Sequence, residues 1–264
     1  MIASINSIQL SYDDVGTDLP IVFLHAFPLD RSMWAPQVGA LVRQGRCIAP
    51  DLRGLGASTP APPYSMDQYA DDVAALLDVL GTRPVVLVGL SMGGYIAFAF
   101  WRRHRARVRA LVLADTRAGA DTDEGREKRR RLIEVARSRG SATVADMQIA
   151  SMVSEATRQR RPEVAEAVRA MMAAAPAEGI VGALEAMMAR PDSTPTLATI
   201  DVPTLIVVGK EDTLTPPNEA QAMHEQVRGS RLEVLTQAGH ISNLERPAAF
   251  THVLSEFVEG VEMG

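Results

Sequence analysis

The fold can be recognised from residues 85–98, which read Val85-Val86-Leu87-Val88-Gly89-Leu90-Ser91-Met92-Gly93-Gly94-Tyr95-Ile96-Ala97-Phe98. Its first four residues are apolar and mostly β-branched, which predicts a strand buried on both faces. The residues from Gly93 onward favour a helix, so a Gly-x-Ser-x-Gly turn is expected to join strand to helix. Such a turn holds its serine in a strained, exposed position, and the flanking glycines let the chain turn sharply. Ser91 is therefore predicted to project into a pocket.

Similar apolar runs recur along the chain and alternate with helix-like stretches. Strands are predicted at residues 21–24, 47–49, 85–88, 108–113, 205–208 and 232–235. Helices are predicted between several of them, at residues 66–80, 93–103 and 219–227. This alternation predicts an α/β fold with a mainly parallel, doubly wound sheet.

The segment 117–195 interrupts the alternation, because it is rich in Ala, Met, Glu and Arg and contains no convincing strand. Pro162 is expected to open one helix that Pro176 closes, and a second helix is expected before Pro191. We therefore predict a helical cap at 117–195 and a core formed by 1–116 and 196–264. The methionine-rich faces of the cap favour packing, with the lining of an adaptable acyl pocket as a second interpretation.

Composition excludes several classes of protein. The 264 residues are 47% apolar and 22% charged with a net charge of −5, which is typical of a folded domain and gives no broad attraction for nucleic acid or an anionic membrane. The basic runs at 102–109 and 126–131 are interpreted as solvated helix faces. A single cysteine, Cys47, excludes an internal disulfide, and no apolar run approaches the roughly 18 residues of a membrane span. We expect a cytoplasmic protein with no nucleic-acid or membrane partner, and the oligomeric state stays open.

A serine nucleophile needs a base, and the chain offers five histidines. His104, His224 and His252 lie in helix-like segments, and His25 follows a strand and is expected to shape the next loop. His240 lies in a Gln-Ala-Gly-His-Ile-Ser-Asn loop after the last predicted strand, where catalytic groups are common. An imidazole titrates near neutral pH, so His240 is the predicted general base.

The base needs an acceptor for its second nitrogen, and Asp212 follows the strand at 205–208. Glu211 is its neighbour, and Asp115, at the end of the preceding strand, is the other alternative. Asp212 is favoured because Ser91, Asp212 and His240 then follow one another in the order Ser, Asp, His. The amide of Met92, at the start of the helix after Ser91, is a predicted oxyanion donor.

With these residues in place, the chain resembles the α/β-hydrolase superfamily over essentially its whole length apart from the helical insertion. His25-Ala26-Phe27-Pro28-Leu29 resembles the family's His-Gly-x-Pro loop, which implies a second oxyanion donor at the Phe27 amide. The segment 51–58, Asp-Leu-Arg-Gly-Leu-Gly-Ala-Ser, resembles the family's structural turn after the fourth strand. Ala26 departs from the usual glycine, and a negative φ would accommodate it.

Within the superfamily, segments 239–247 and 32–37 are similar to 3-oxoadipate enol-lactonases and small carboxylesterases, and the Phe-Pro-Leu loop is similar to esterases with cofactor-free perhydrolase activity. The resemblance implies a serine hydrolase that cleaves an ester or lactone of a small, mostly apolar substrate through an acyl-enzyme. Neither a metal nor a cofactor is expected, because the histidines lack ligand spacing and a Gly-x-Gly-x-x-Gly fingerprint is absent.

Two further interpretations stay open. The same fold and catalytic residues could cleave another bond, as C–C bond hydrolases, amidases and aminopeptidases do. A non-catalytic ligand-binding protein can also reuse the fold, since fold alone never proves function. Haloalkane dehalogenases and epoxide hydrolases are disfavoured, because they place an aspartate where Ser91 stands.

Overall fold

The computed structural model describes residues 1–263, so that Gly264, the last residue of the expected core, lies outside the described residues. Its strands are β1 (Ile2–Ile5), β2 (Ile8–Val15), β3 (Pro20–Leu24), β4 (Arg46–Pro50), β5 (Val85–Leu90), β6 (Val108–Ala114), β7 (Thr204–Gly209) and β8 (Arg231–Leu235). Strands β3 to β8 coincide with the six predicted runs. The hairpin formed by β1 and β2 was not predicted.

The helices are α1 (Ala35–Leu41), α2 (Met66–Val79), α3 (Met92–His104), α4 (Asp123–Met152), α5 (Glu155–Arg160), α6 (Pro162–Ala174), α7 (Ala177–Ala189), α8 (Thr194–Leu197), α9 (Pro217–Gln226), α10 (Ser242–Glu245) and α11 (Pro247–Met263). Short 3₁₀ turns lie at Arg31–Trp34 and Arg105–Arg107. The three helices predicted between strands are α2, α3 and α9, each within about two residues of its expected bounds.

One eight-stranded sheet has the order β1-β2-β4-β3-β5-β6-β7-β8. Strands β3 to β8 pair in parallel, whereas β2 runs antiparallel to both of its neighbours, β1 and β4. Every residue of β3, β5 and β7 is buried, as their unbroken apolar runs predicted. The prediction of an α/β fold with a mainly parallel sheet is confirmed.

Helices cover both faces of this sheet. The side chains of Val85 and Leu87 pack on one side with α2 and α3, while Val86 and Val88 pack on the other with α1 and α11. Alternate residues of a strand point to opposite faces, so β5 requires apolar neighbours on both sides. This arrangement confirms the doubly wound architecture. Cys47 lies buried in β4, and burial raises the pKa of its thiol to about 12, which is consistent with an inert core residue.

A helical insertion, α4 to α7, lies between β6 and β7, as predicted. Helix α4 is interrupted at Gly140, whose φ of 79° is outside the helical region. Helix α6 begins at Pro162 and ends at Ala174, and α7 ends before Pro191. The division into a core of 1–116 and 196–264 and a cap of 117–195 stays a prediction.

Among residues 1–263, no single helix is both long and apolar enough to cross a membrane. The pair α6 and α7, bent by 96°, meets the length and composition criterion only when the two helices are taken together.

Candidate active site

Four parallel strands carry the candidate catalytic residues to one edge of the sheet. Ser91 directly follows β5 and Asp115 directly follows β6, while Asp212 and His240 lie in the loops after β7 and β8. The carboxyl ends of parallel strands open on the same side, which brings residues far apart in sequence together. A hydroxyl, two carboxylates and an imidazole therefore lie at the same edge of the sheet.

The turn that carries Ser91 is strained and tightly packed. Ser91 has φ 56° and ψ −112°, a conformation that side chains with a Cβ rarely adopt. A Cβ at Gly89 would lie 2.3 Å from the carbonyl oxygen of Gly93, and a Cβ at Gly93 would lie 2.2 Å from the carbonyl oxygen of Leu24. Both glycines of the motif are thus required by close backbone approach.

A continuous hydrogen-bond chain links Ser91, His240 and Asp212. The Nε2 of His240 lies 2.8 Å from the Ser91 Oγ, and its Nδ1 lies 2.8 Å from the Asp212 Oδ2. Because an ionised carboxylate only accepts, Nδ1 carries the proton and Nε2 presents its lone pair to the serine hydroxyl. Asp212 and His240 are both buried, at 3% and 2% exposure, which keeps water from competing for these bonds.

The loop after β7 fixes Asp212 through both of its oxygens. Oδ1 accepts hydrogen bonds from the amides of Leu214 at 2.8 Å and Thr215 at 3.0 Å, and Oδ2 accepts from the Thr215 hydroxyl at 2.7 Å. That hydroxyl also lies 3.3 Å from the His240 Nδ1. Sequence analysis missed Thr215, although an aspartate followed by amides two and three residues later is typical of an Asx turn.

The electrostatics of the site shift the pKa values of His240 and Asp212 in opposite directions. Burial lowers the pKa of His240, but the charge and hydrogen bond of Asp212, with smaller contributions from Asp115 and Glu245, raise it above the ordinary value. Burial raises the pKa of Asp212, and His240 and Thr215 outweigh this and lower it. The carboxylate therefore stays ionised while the imidazole exchanges a proton.

The alternative acids hold other positions. Asp115 is fully buried, and its carboxylate accepts hydrogen bonds from the Gly209 amide at 2.8 Å and from the Ser242 hydroxyl. It thus connects the loop of Asp212 to the loop of His240. Burial, and next to it the charge of Asp212, raises the Asp115 pKa well above its usual range. Glu211 is exposed.

The remaining histidines have other partners. His104 lies 2.7 Å from Asp71, His224 lies 2.8 Å from the Ser230 hydroxyl, and His252 faces Glu256 on the surface. His25 is buried, with Nδ1 2.9 Å from the Ala26 carbonyl oxygen, and its Nε2 accepts a bond from the Leu52 amide at 2.9 Å. It connects the loop after β3, which it was expected to shape, to the turn after β4.

The two predicted oxyanion donors belong to elements that adjoin the Ser91 cavity. Met92 is the first residue of α3, where the helix offers its amide no internal acceptor. Phe27 belongs to the loop after β3 and lines the same cavity as Ser91. Ala26, the departure from the family pattern, is fully buried and does not have the positive φ that would favour glycine.

The insertion is docked directly onto the loop of His240. The carboxylate of Glu245 accepts the Gly239 amide at 2.9 Å and the Ser154 amide at 3.0 Å, and the Ile241 amide donates to the Met152 carbonyl oxygen at 3.2 Å. Ser154 and Met152 lie at the junction of α4 and α5. The position of the imidazole therefore depends on contacts with the helical insertion.

A cavity of about 290 Å³ opens at the Ser91 hydroxyl and is roofed by α4 and α7. Its uncharged lining consists of Phe27, Ser91, Tyr95, Thr122, Gly125, Leu132, Gln148, Met152, Met187, Thr213, Leu214, Thr215 and His240. A larger cleft of about 400 Å³ between α5 and α11 contains none of the three hydrogen-bonded residues. The smaller cavity is the place where a substrate would meet Ser91.

Comparison with known proteins identifies the family of the chain. The family described as alpha/beta hydrolase fold matches residues 20–247. The chain belongs to the α/β-hydrolase fold family. It is 32% identical to 3-oxoadipate enol-lactonase 2 from Acinetobacter baylyi over 94% of this chain and 92% of the relative.

Solved structures of an esterase and an enol-lactonase are similar to this α/β hydrolase. A thermophilic esterase from Thermogutta terrifontis, solved with malate bound, is 43% identical, with a TM-score of 0.94 over 96% of this chain and 94% of that one. The enol-lactonase from Burkholderia xenovorans LB400 is 32% identical, with a TM-score of 0.92 over 98% and 100% of the two chains. The predicted resemblance is thereby confirmed.

The cavity of this hydrolase has a charged wall that the sequence did not predict. Arg117, Asp121, Glu124, Lys128 and Arg129 all line it. Arg129 departs from the expectation that residues 126–131 form a solvated face, because its side chain is 19% exposed and pairs with Asp121. The signal for Arg117 was its position just beyond the carboxyl end of β6.

Other large apolar side chains lie in the core, at the surface or in the cavity. Trp34 and Trp101 are buried in the core and Met147 is 53% exposed, whereas Met152 and Met187 line the cavity. Two methionines of the insertion thus contribute to the pocket. Among residues 1–263, no group of three or more His, Cys, Asp or Glu side chains is arranged to hold a metal ion.

Proposed function

We propose that this α/β hydrolase is a serine hydrolase that cleaves a small carboxylic ester or lactone. The observation that carries the proposal is the hydrogen-bond chain from the Ser91 hydroxyl through His240 to Asp212 at the floor of a covered cavity. The relatives, which are esterases and enol-lactonases, support the choice of ester and lactone bonds.

The first half-reaction forms an acyl-enzyme. The Ser91 Oγ attacks the carbonyl carbon while the Nε2 of His240 accepts the hydroxyl proton. Asp212 stabilises the imidazolium through Nδ1, and the fixed orientation of its Oδ2 maintains the required tautomer. His240 then donates that proton to the leaving alkoxide, which in a lactone stays attached to the acyl group.

The negative charge on the tetrahedral intermediate needs donors fixed in advance. The amides of Phe27 and Met92 are proposed for this role, aided by the positive end of the α3 dipole. Loss of one such donor in comparable enzymes lowers turnover by roughly 100- to 1,000-fold.

The second half-reaction releases the acid. A water molecule takes the place of the alcohol, gives a proton to the Nε2 of His240 and attacks the acyl carbon. The Ser91 oxygen then leaves and recovers its proton from the same nitrogen, which restores the resting state.

Hydrolysis of p-nitrophenyl esters from acetate to octanoate, followed by simple lactones, tests the proposal. We expect activity to peak at short chains because the cavity is small, and to disappear in Ser91→Ala. Ser138→Ala is a matched control, since Ser138 is exposed and its hydroxyl donates only to the Glu134 carbonyl within its own helix.

Labelling with a fluorophosphonate, mapped by mass spectrometry, separates the rival outcomes. Labelling at Ser91 without ester or lactone hydrolysis would indicate cleavage of another bond, such as an amide or C–C bond. Absence of both labelling and hydrolysis would contradict the proposal and favour a ligand-binding protein.

A further inference from the structure

We infer that the cleft between α5 and α11, which is separate from the cavity at Ser91, binds a small phosphate monoester. The inference goes beyond the proposed function, because neither Ser91 nor His240 lines this cleft. It rests on three arginines that line the cleft together, Arg160, Arg161 and Arg246, and that have no acid partner.

The hydrogen bonds of these arginines leave their charges uncompensated. Arg160 is exposed and has no hydrogen bond or ion pair in the described part of the chain. Arg161 donates from Nη2 to the backbone carbonyl oxygen of Glu245, and Arg246 donates from Nη1 to the side-chain oxygen of Gln237. Both acceptors are neutral. A guanidinium carries five N–H donors, so further donors of all three side chains stay available for a ligand.

Glu245 is the only acid among the described residues that line the cleft. Its side chain is fully buried, and its two carboxylate oxygens accept the amides of Gly239 at 2.9 Å and Ser154 at 3.0 Å. No ion pair within 4.0 Å joins it to an arginine in the described structure. Three positive charges against one negative charge leave the lining with a formal excess of two positive charges.

Arginines that lie close together elsewhere in the protein are neutralised by acids. In the run at 102–109, three arginines pair with three aspartates: Arg103 with Asp71, Arg105 with Asp201 and Arg107 with Asp78. The arginines of the cleft lack such partners, and like charges that are gathered without an acid repel one another. A bound anion would relieve this repulsion.

The charge and shape of the cleft select the class of anion. A phosphate monoester carries about two negative charges near neutral pH, which matches the excess, and guanidinium groups bind phosphate oxygens with pairs of parallel donors. The cleft of about 400 Å³ has the size of a small-molecule site, so it also has room for an organic group. Ala156, Pro247 and Ala248 provide an apolar wall for that group.

Calorimetry with phenyl phosphate and phenyl sulfate at pH 8 and constant ionic strength tests the inference. The two probes have the same shape, but the phosphate carries a second negative charge. We expect saturable binding of phenyl phosphate to one site, roughly tenfold tighter than that of phenyl sulfate. Inorganic phosphate should bind more weakly than phenyl phosphate, because it leaves the apolar wall uncovered.

Three results with the wild type would overturn the inference. These are the absence of saturable phenyl phosphate binding below about 10 mM, equal affinity for phenyl sulfate, and tighter binding of inorganic phosphate than of its phenyl ester.

Two variants locate the site. Arg160→Gln and Arg246→Gln should each weaken phenyl phosphate binding by roughly tenfold or more, which corresponds to one charge-assisted hydrogen bond. Both should fold, because Arg160 makes no bond to the rest of the protein and Arg246 bonds only to the exposed Gln237. Arg160→Lys should retain part of the affinity. Wild-type affinity in either glutamine variant would overturn the inference.

Arg83→Gln is the matched control. Arg83 is also exposed and donates to a neutral oxygen, the Asp18 carbonyl at 3.1 Å, but it precedes β5 and so lies at the opposite end of the sheet. This variant should bind phenyl phosphate as the wild type does. A loss equal to that in Arg160→Gln would show general attraction of the anion and overturn the inference.

Arg117→Gln removes a positive charge from the cavity at Ser91 and should also leave the affinity unchanged. A loss in this variant without a loss in Arg160→Gln would place the probe in the substrate cavity and overturn the inference. None of these binding measurements requires hydrolysis, so their outcome is independent of the proposed function.

Discussion

Replacing Asp212 by asparagine tests the proposed role of the acid, because the surrounding hydrogen bonds dictate how the new amide must sit. Oδ1 accepts two backbone amides, from Leu214 and Thr215, so the carbonyl oxygen of the asparagine side chain has to occupy that position. The NH₂ group is then placed where Oδ2 stood, 2.8 Å from the His240 Nδ1.

An NH₂ group at this point can only donate, so it forces Nδ1 to accept and moves the imidazole proton to Nε2. The nitrogen facing Ser91 then has no lone pair with which to remove the hydroxyl proton. The corresponding change in a well-studied triad lowers kcat by about 10⁴-fold, equivalent to about 5 kcal/mol of transition-state stabilisation. We expect a loss of that order in Asp212→Asn with little change in KM.

Asp115→Asn is the matched control, since Asp115 is equally buried and lies at the end of the neighbouring strand. Its Oδ1 accepts the Gly209 amide, so the new NH₂ would face the Ser242 hydroxyl, which can rotate to accept it. We expect kcat to fall by less than about tenfold, because neither partner is a reacting atom.

The assay is p-nitrophenyl butyrate hydrolysis by both variants, with thermal melting to establish that each is folded. A folded Asp212→Asn that stays within tenfold of the wild type, together with a drop of about a thousandfold or more in Asp115→Asn, would refute the reasoning and assign the acid to Asp115.

Three further outcomes are expected. The Nε2 of His240 can accept a proton only when the pH exceeds the pKa of the imidazole, which its neighbours raise. We therefore expect kcat/KM to reach half its maximum at a pH above about 6.5. A midpoint below that value in a pH profile would contradict this balance of charges around the imidazole. Gly93→Ala should lower the free energy of unfolding, measured by urea titration, by about 2–3 kcal/mol or more, because its Cβ would lie 2.2 Å from a backbone oxygen of β3. Gly39→Ala is the control and should not destabilise the protein, because a Cβ there would meet nothing within 4 Å. Arg53→Met should lower the free energy of unfolding by about 3–5 kcal/mol in the same titration, because the buried Asp72 would lose its two 2.7 Å hydrogen bonds from Arg53. A loss below about 1 kcal/mol would show that water reaches this carboxylate.

Burial distinguishes strands β3 and β5, which sequence analysis predicted, from the hairpin that it missed. Strands β3 and β5 are buried on both faces, so the hydrophobic effect requires an unbroken apolar run that is easy to recognise. The hairpin of β1 and β2 lies at the edge of the sheet, where one face is exposed. Its turn residues Asn6 and Ser7 both have positive φ, at 39° and 63°, but Ser7 replaces the glycine that usually marks such a turn. The alternation of Ile8, Leu10 and Tyr12 was the remaining signal.

The fold class and the candidates for nucleophile, base and acid could be predicted from the sequence, because each depends on local chemistry: a glycine-flanked serine between strand and helix, and polar residues just after buried strands. Which of these groups contact one another follows only from the folded structure. His240 forms its hydrogen bond with Asp212 rather than with Asp115, and Thr215 also contacts both residues. Asp121 is enclosed by arginines from three separate segments. Hydrogen bonds and ion pairs fall off within a few ångströms, so their partners depend on distances in space that the order of residues along the chain does not specify.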